Sequence, residues 1–384
     1  VSIITQSGAL GTAILDWSDA TCVGFDYFAS LGNKSDLNEI DFMEAWKGDD
    51  DTKVILAYLE GITDGRRFID VAREVSKVKP VIVVKSGRTS AGARAVSSHT
   101  GSLAGSDAAY DSAFMQSGVI RADTMYEFFD MAGGFSGQPV PASDRIAIIT
   151  NAGGPGILAT DSCERYGLRL AALSKETVDA LKTTLPPAAS FYNPVDVLGD
   201  ASAGLYRFAL ETVVKDDGVD GILVLATPQA MTDPVAIAEV IGEIKKLTHK
   251  PILPCFVGGV VMEEGVQVLK RHGLYNYDDP ARAAYTMHMM AKYQKIRQRV
   301  YAEPRRFDVD KEKVRGIIDS SRSMGITVLG LEALPVLEAY GIPTLKYKIA
   351  TSVSDAMQAA REIGYPIVMK IVSPDIIHKS DVGG

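Results

Sequence analysis

Cysteine is scarce. Only three occur in 384 residues, at positions 22, 163 and 255. They are odd in number, far apart and without metal-ligand spacing, which excludes a disulfide framework and a zinc site built on thiolates. They fit small core residues in a reducing compartment. Basic residues are outnumbered, 40 Lys and Arg against 48 Asp and Glu, for a net charge of −8. That balance argues against a nucleic-acid partner and against an anionic membrane surface. Any phosphate site must therefore be local. No apolar run approaches the ~18 residues that a membrane span needs, and no signal peptide is visible. The expectation is a soluble, cytoplasmic protein.

What is present is ordinary globular composition, 46% hydrophobic and 23% charged, long enough for two to three domains. Short apolar runs alternate with amphipathic stretches. Strands are expected over 1–5, 53–59 and 81–85, with helices over 9–19, 65–78 and 107–117. A Pro/Gly/Ser break at 136–143 (SGQPVPAS) marks a boundary. A second α/β pattern follows, with strands over 145–150, 221–226 and 251–257. Its helices are expected over 157–166, 235–246 and 263–272. This alternation predicts two flavodoxin-like parallel-sheet domains, 1–138 and 143–300. A long polar helix over 280–301 and a charged stretch over 301–326, a linker or a surface helix, lead to a third unit, 327–384. There, helices are expected over 331–340 and 354–363, and strands over 344–350 and 367–372. A valine opening a strand and a glycine pair closing one suggest a piece of something longer.

Ligands of such sheets gather beyond the carboxyl ends of the strands. Three stretches there hold the chemistry. The segment VSSHTGSLAG, 96–105, sets His99 among hydroxyl and glycine residues, a loop with exposed N–H groups and a reactive imidazole. QSGAL, 6–10, makes Ser7 a natural N-cap and leaves the amides of Gly8 and Ala9 outward. NAGGPG, 151–156, repeats that organisation with Gly153, Gly154 and Gly156. It lacks the Walker pattern and is no P-loop. Each alone is a bland turn. Together they suggest a histidine that carries a phosphoryl group, flanked by two helix N-termini that favour an anion. Glu60, in YLEG, can accept the imidazole N–H not used for attack. Lys85 and Arg88, in KSGR, can add local positive charge. NPVD, 193–196, is by default a turn, and His249, His272 and His288 read as structural. Lys370, in IVMKIV, is costly at the inner end of an apolar strand unless paired. For it, and for His378 in a polar loop, the residues alone leave structural and functional readings open.

These motifs resemble, over essentially the whole chain, the NDP-forming acyl-CoA synthetases, the family of acetate–CoA ligase (ADP-forming) and of succinyl-CoA synthetase. SSHTGSLAG is similar to that family's phosphohistidine loop, QSGALG and NAGGPG to the starts of its two phosphate-facing helices, and NPVD to its Asn-Pro-x-Asp segment. YPIVMKIVSPDIIHKSDVGG resembles the start of an ATP-grasp domain. The resemblance implies His99 as phosphohistidine, Glu60 as the carboxylate orienting it, Lys370 as a nucleotide-phosphate ligand and His378 as a second phosphoryl carrier. It implies the reaction acyl-CoA + ADP + phosphate ⇌ acid + ATP + CoA through an acyl phosphate, with Mg2+ accompanying the nucleotide and an oligomeric full protein. The family's CoA-binding Rossmann domain and the rest of its ATP-grasp domain are missing, so the piece alone is not expected to turn over. The rival readings are a non-catalytic CoA- or anion-binding scaffold and a regulatory part of a protein acetyltransferase. The acyl group, whose pocket draws on loops such as 31–36, is not readable.

Overall fold

Runs of Ile, Val, Leu and Ala with few polar interruptions make strands that cannot face water on either side. In the computed structural model, which describes residues 1–21, 23–92, 94–95, 106–302, 305, 307–326 and 329–373, they become the buried strands Ser2–Thr5 (β1), Ile55–Leu59 (β3) and Val81–Lys85 (β4). Tyr27–Ser30 (β2) and Ile120–Ala122 (β5) add the edges. The sheet is parallel throughout, in the order β2-β1-β3-β4-β5. Helices Glu39–Trp46, Gly65–Ser76 and Asp107–Ser117 cover one face through Ile40, Met43, Phe68, Val75 and Phe114.

Arg145–Thr150 (β6), Gly221–Ala226 (β9) and Ile252–Phe256 (β10) form the centre of a second parallel sheet. On the other edge of β6, the two-residue strands Arg169–Leu170 (β7) and Val195–Asp196 (β8) pair with its start and its end. Helices Lys175–Thr184, Ala203–Val213, Pro234–Lys245 and Val260–Arg271 complete this half, each except the last with a Ser or Asp at its N-cap. The α/β, flavodoxin-like expectation holds.

The two halves share one core. Helix Met125–Gly137 packs on β4, helix Pro280–Arg297 on β9 and β10, and the two helices pack on each other. Residues 1–300 are accordingly one compact unit and 301–384 a second. The helix expected to be long and polar is thus corrected: Ala283, Thr286, Met287, Met290 and Tyr293 are buried on it, because β9, β10 and helix Met125–Gly137 supply apolar surface to a stripe that reads as mixed in sequence. The Pro/Gly/Ser break is tied down as well. Buried Gln138 donates to the carbonyl of Ile252 (2.7 Å) and accepts from its N–H (3.2 Å), standing in for a neighbour strand on β10. At its heart the shared core holds a clasp. Asp130 receives two bonds from Arg282 (2.8 and 2.7 Å) and one from the Tyr275 hydroxyl (3.0 Å).

In the second unit, helices Lys311–Ser323 and Ala333–Ala339 pack together, so of the two readings of 301–326 the surface helix is found over Lys311–Ser323. Helix Val353–Ile363 follows, with Ser352 at its N-cap. The strands expected over 344–350 and 367–372 are absent among the described residues. Leu345, Ile349, Val368 and Met369 are exposed, and an apolar run without a partner ladder does not hold as a strand.

Candidate functional site

The carboxyl ends of β1, β3 and β4 lie side by side. Helix Gly8–Thr21 begins directly after β1, with Ser7 Oγ accepting from the Leu10 N–H (3.3 Å). Its first turn leaves the amides of Gly8 and Ala9 at the open, exposed end. Two side chains hold this end in place. Thr5 Oγ1 donates to the Ser7 carbonyl (2.9 Å) and accepts from the Ser7 N–H (3.1 Å). Gln6 Oε1 accepts from the N–H groups of Glu60 (2.7 Å) and Gly61 (3.2 Å), while its Nε2 donates to the Gly61 carbonyl (3.1 Å). Gln6 therefore locks the end of β1 to the half-buried Glu60 at the end of β3.

The second glycine turn is built the same way. Thr150 Oγ1 donates to the Ala152 carbonyl (2.9 Å) and accepts from its N–H (3.1 Å). Asn151, buried, takes Gln6's part. Its Oδ1 accepts from the N–H (2.9 Å) and hydroxyl (3.0 Å) of Thr227, and its Nδ2 donates to the Thr227 carbonyl (3.0 Å) and Thr232 Oγ1 (3.1 Å). Ile3 to Gly11 and Ile148 to Gly156 are thus one device used twice, I-I-T-(Q/N)-x-G-x-x-G. The last glycine lets each helix pack close: a Cβ on Gly11 would stand 2.8 Å from the Phe28 ring of β2 and 3.4 Å from Thr5 of β1, and on Gly156 3.1 Å from Thr150 of β6. Helix Gly153–Arg165 starts four residues earlier than its periodicity suggests, so the glycines form its first turn rather than a preceding loop. Gly154 is open, whereas a Cβ on Gly153 would approach Asp196 Oδ2 at 3.8 Å.

The NPVD segment is a brace. Asn193 donates to the carbonyls of Ile146 (2.7 Å) and Ala171 (3.1 Å) and accepts from the Ile148 N–H (2.9 Å). It fills the gap on β6 between β7 and β8. Gln6, Asn151 and Asn193 were not singled out from sequence for these roles. The repeat I-I-T-(Q/N) is the signal that finds the first two.

Of the basic residues expected near the histidine loop, Arg88 faces Asp107 and Asp123. Lys85 is buried at the end of β4, donates to the Ser86 carbonyl and lies 4.4 Å from the Tyr110 ring centroid. Burial pushes its ammonium below the usual lysine range, against the opposing field of Asp107. Asp107 itself is partly buried, yet Arg121 and Arg88 hold its carboxyl below the usual range. His99 and His378 lie outside the described residues. His272 bonds Glu239 (2.6 Å), and half-buried His288 lies against Tyr166 and Tyr285. Lys370 is exposed, so the burial that made it costly is not observed. Among the described residues, no cluster of three or more His, Cys, Asp or Glu side chains is placed to hold a metal. Nor is any described helix long and apolar enough to cross a membrane.

Three family models match: a succinyl-CoA ligase like flavodoxin domain over residues 1–135, a ligase-CoA domain over 146–301 and an ATP-grasp domain over 321–384. Acetate–CoA ligase [ADP-forming] I of Archaeoglobus fulgidus is 45% identical over all of this chain and 55% of its own length. The 4-hydroxybutyrate–CoA ligase [ADP-forming] of Nitrosopumilus maritimus is 37% identical with the same coverage. The chain spans about half the length of these curated relatives. A solved structure of dinucleotide forming acetyl-coenzyme A synthetase 1 from Ca. Korarchaeum cryptofilum, in complex with phosphate and ADP, superposes with a TM-score of 0.74. It is 39% identical, over 77% of this chain and 65% of that one.

Proposed function

This chain belongs to the family of ADP-forming acyl-CoA synthetases, and on that premise we propose that it carries the phosphoryl relay of the reaction acyl-CoA + ADP + phosphate ⇌ carboxylic acid + ATP + CoA. The observation that supports this most is the duplicated strand-to-helix device. Two helix starts, after β1 and after β6, are built to leave amides outward, and both belong to one compact unit. Each helix end is worth ~0.3–1 kcal/mol toward an exposed anion, up to about 2 when partly buried, so the pair matters where either alone would not.

In this reading Ser7, Gly8 and Ala9 on one side and Gly153 and Gly154 on the other steady the phosphoryl oxygens, while Gly156, whose N–H donates to the Ala152 carbonyl (3.2 Å), packs the helix on Thr150. A ring nitrogen of His99 attacks the phosphorus of an acyl phosphate. The P–N bond forms as the bond from phosphorus to the acyl oxygen breaks, and the carboxylate leaves with the electron pair. The second ring N–H stays in place, shared with Glu60, so an acyl phosphate of charge −2 becomes a carboxylate of −1 and a phosphoimidazolium of net −1. Charge and atoms balance without an added base. His378 and Lys370 belong to the later transfer to ADP, with Mg2+ entering on the nucleotide, and CoA is the thiol released from or joined to the acyl group. Full turnover calls for a CoA-binding domain and a complete ATP-grasp domain, while the 384-residue chain suffices for the histidine half-reaction.

The test is incubation of the chain with acetyl [32P]phosphate. Acid-labile, base-stable label that disappears in His99→Ala is expected. Label absent from the wild type, or retained in His99→Ala, overturns the reading.

A further inference from the structure

The loop from β2 to helix Glu39–Trp46 hangs on one side chain. At its near end Leu31 packs on the apolar cluster below it, and at its far end Asn38 and Asp41 close a capping box on the helix. Between them, every residue of 32–37 is exposed except Lys34. Lys34 turns inward, its side chain 13% exposed. Its ammonium donates to Glu39 Oε2 (3.0 Å) and to the Gly61 carbonyl (2.7 Å). Gly61 follows β3, and β1 lies between β2 and β3, so Lys34 reaches across the end of β1. The same carbonyl accepts from Gln6, the residue before Ser7 and the open start of helix Gly8–Thr21.

Two features make this hold releasable. Lys34 has φ 56°, a left-handed conformation unfavourable for any residue with a Cβ. Among the described residues the other non-glycine there is Leu198, with φ 74°, whose side chain packs on an apolar cluster. Packing holds the strain at Leu198; at Lys34 it is held by polar bonds that water or an ion can replace. The second feature is Glu39. It is fully buried, yet its Oε1 has no hydrogen-bond partner. A buried oxygen without a donor is unfavourable, and lifting the loop lets water reach it. Opening therefore breaks two charge-assisted bonds but relieves a strained backbone and a stranded oxygen. The capping box and the bonds of Gln6 to Glu60 and Gly61 do not use Lys34, so both flanks stay formed when it lets go.

We propose that residues 32–37 are a strap beside the open helix start, lifting at Lys34 to admit inorganic phosphate and closing on it. The inference rests on the anion reading of helix Gly8–Thr21 given above, and adds how that end is reached and shut. An ammonium has three donors. Two are engaged when the strap is down and the third is left for the bound phosphate, so the ligand favours the closed state and shifts the population toward it.

The experiment is limited digestion of the 384-residue chain with trypsin, read by mass, with phosphate binding followed by calorimetry. Cleavage at Lys34–Ser35 requires the lysine to leave Glu39 and Gly61, and so reports the lifted state. Cleavage at exposed Arg305 is the internal reference. Phosphate at about ten times its dissociation constant is expected to slow the cut at Lys34 by up to about tenfold, the limit for a ligand bound only by the closed state. In the double variant Lys34→Met, Glu39→Met, thermolysin should cut at Asp36–Leu37 at least about tenfold faster than in the wild type, since a bond to a charged group holds by at least that factor. Phosphate should not slow that cut, and the melting temperature should be kept or raised because no charge is stranded. Should the double variant melt low, the wild-type arms with and without phosphate decide alone. Wild-type cleavage at Lys34 that is indifferent to bound phosphate overturns the strap, as does an unchanged thermolysin rate in the folded double variant. Absence of any phosphate binding to the wild type overturns the anion reading of the helix start instead.

Discussion

Replacing Asp130 by alanine is expected to loosen the shared core of the first unit. Asp130 is 2% exposed and accepts two charge-assisted bonds from Arg282 and one from Tyr275. Breaking a buried pair by removing one partner typically costs about 3–5 kcal/mol, because the survivor stays buried and uncompensated. Here the low end applies. The Arg282 side chain is 28% exposed and keeps Asp278 and the face of Tyr126, 5.2 Å away. The expected loss is about 3 kcal/mol. At roughly 2 °C per kcal/mol for a large unit, the melting temperature falls by about 6 °C in a calorimetric scan. Asp130→Asn, which still accepts from Tyr275, should fall between. The pair Asp130→Leu with Arg282→Met should recover most of the loss, since no charge is left stranded. An alanine variant melting within about 1 °C of the wild type would refute the argument, as would a double variant no better than the single one.

Glycine positions separate function from packing. Gly154→Ala meets open space and should leave the melting temperature unchanged while reducing acetyl phosphate labelling, whereas Gly156→Ala presses on Thr150 and should lower the melting temperature by calorimetry. Glu60→Gln should slow labelling by about 10²-fold or more, in the range of a lost acid–base partner, with an unchanged far-UV spectrum and melting curve. Asn193→Ala removes a bond from the Ile146 carbonyl and the Ile148 N–H of β6 and from the Ala171 carbonyl beyond β7, and should cost about 2–3 kcal/mol in urea unfolding, given ~1–3 kcal/mol for each buried group left unsatisfied and partial rescue by water and by the remaining partner of Ile146. Asp107 has its pKa held down in the folded chain. Its contribution is therefore present above the unfolded value near 4 and lost as pH falls through the lower folded value. Asp107→Asn should flatten the acid limb of stability below about pH 4.

Much of the fold was legible because central parallel strands carry their own signal. Arg145–Thr150, Gly221–Ala226 and the helix Asp107–Ser117 are found where periodicity puts them. Edges were not. Tyr27–Ser30 is largely exposed on both faces, so it shows neither an apolar run nor alternation, and β7 and β8 are too short to have a period. The burial of helix Pro280–Arg297 is likewise a tertiary fact, since Lys, Arg and Gln share its sequence with the core methionines. At the candidate site, Ser7 and the glycines announce a helix start by composition. The amides of Gln6 and Asn151 do not, because their partners are backbone groups 54 and 76 residues away. The burial of Lys85 was hidden for a similar reason. Its neighbours come from a helix that begins twenty-two residues later.

The hydroxyl of Thr5 and that of Thr150 each brace a helix start from the strand directly before it, using nothing from the other half of the molecule. Each helix start is therefore held within its own half of the unit. On the function proposed above, what the union of the halves contributes is aim, and a substitution in the common core is expected to misalign the two helix starts while leaving both intact.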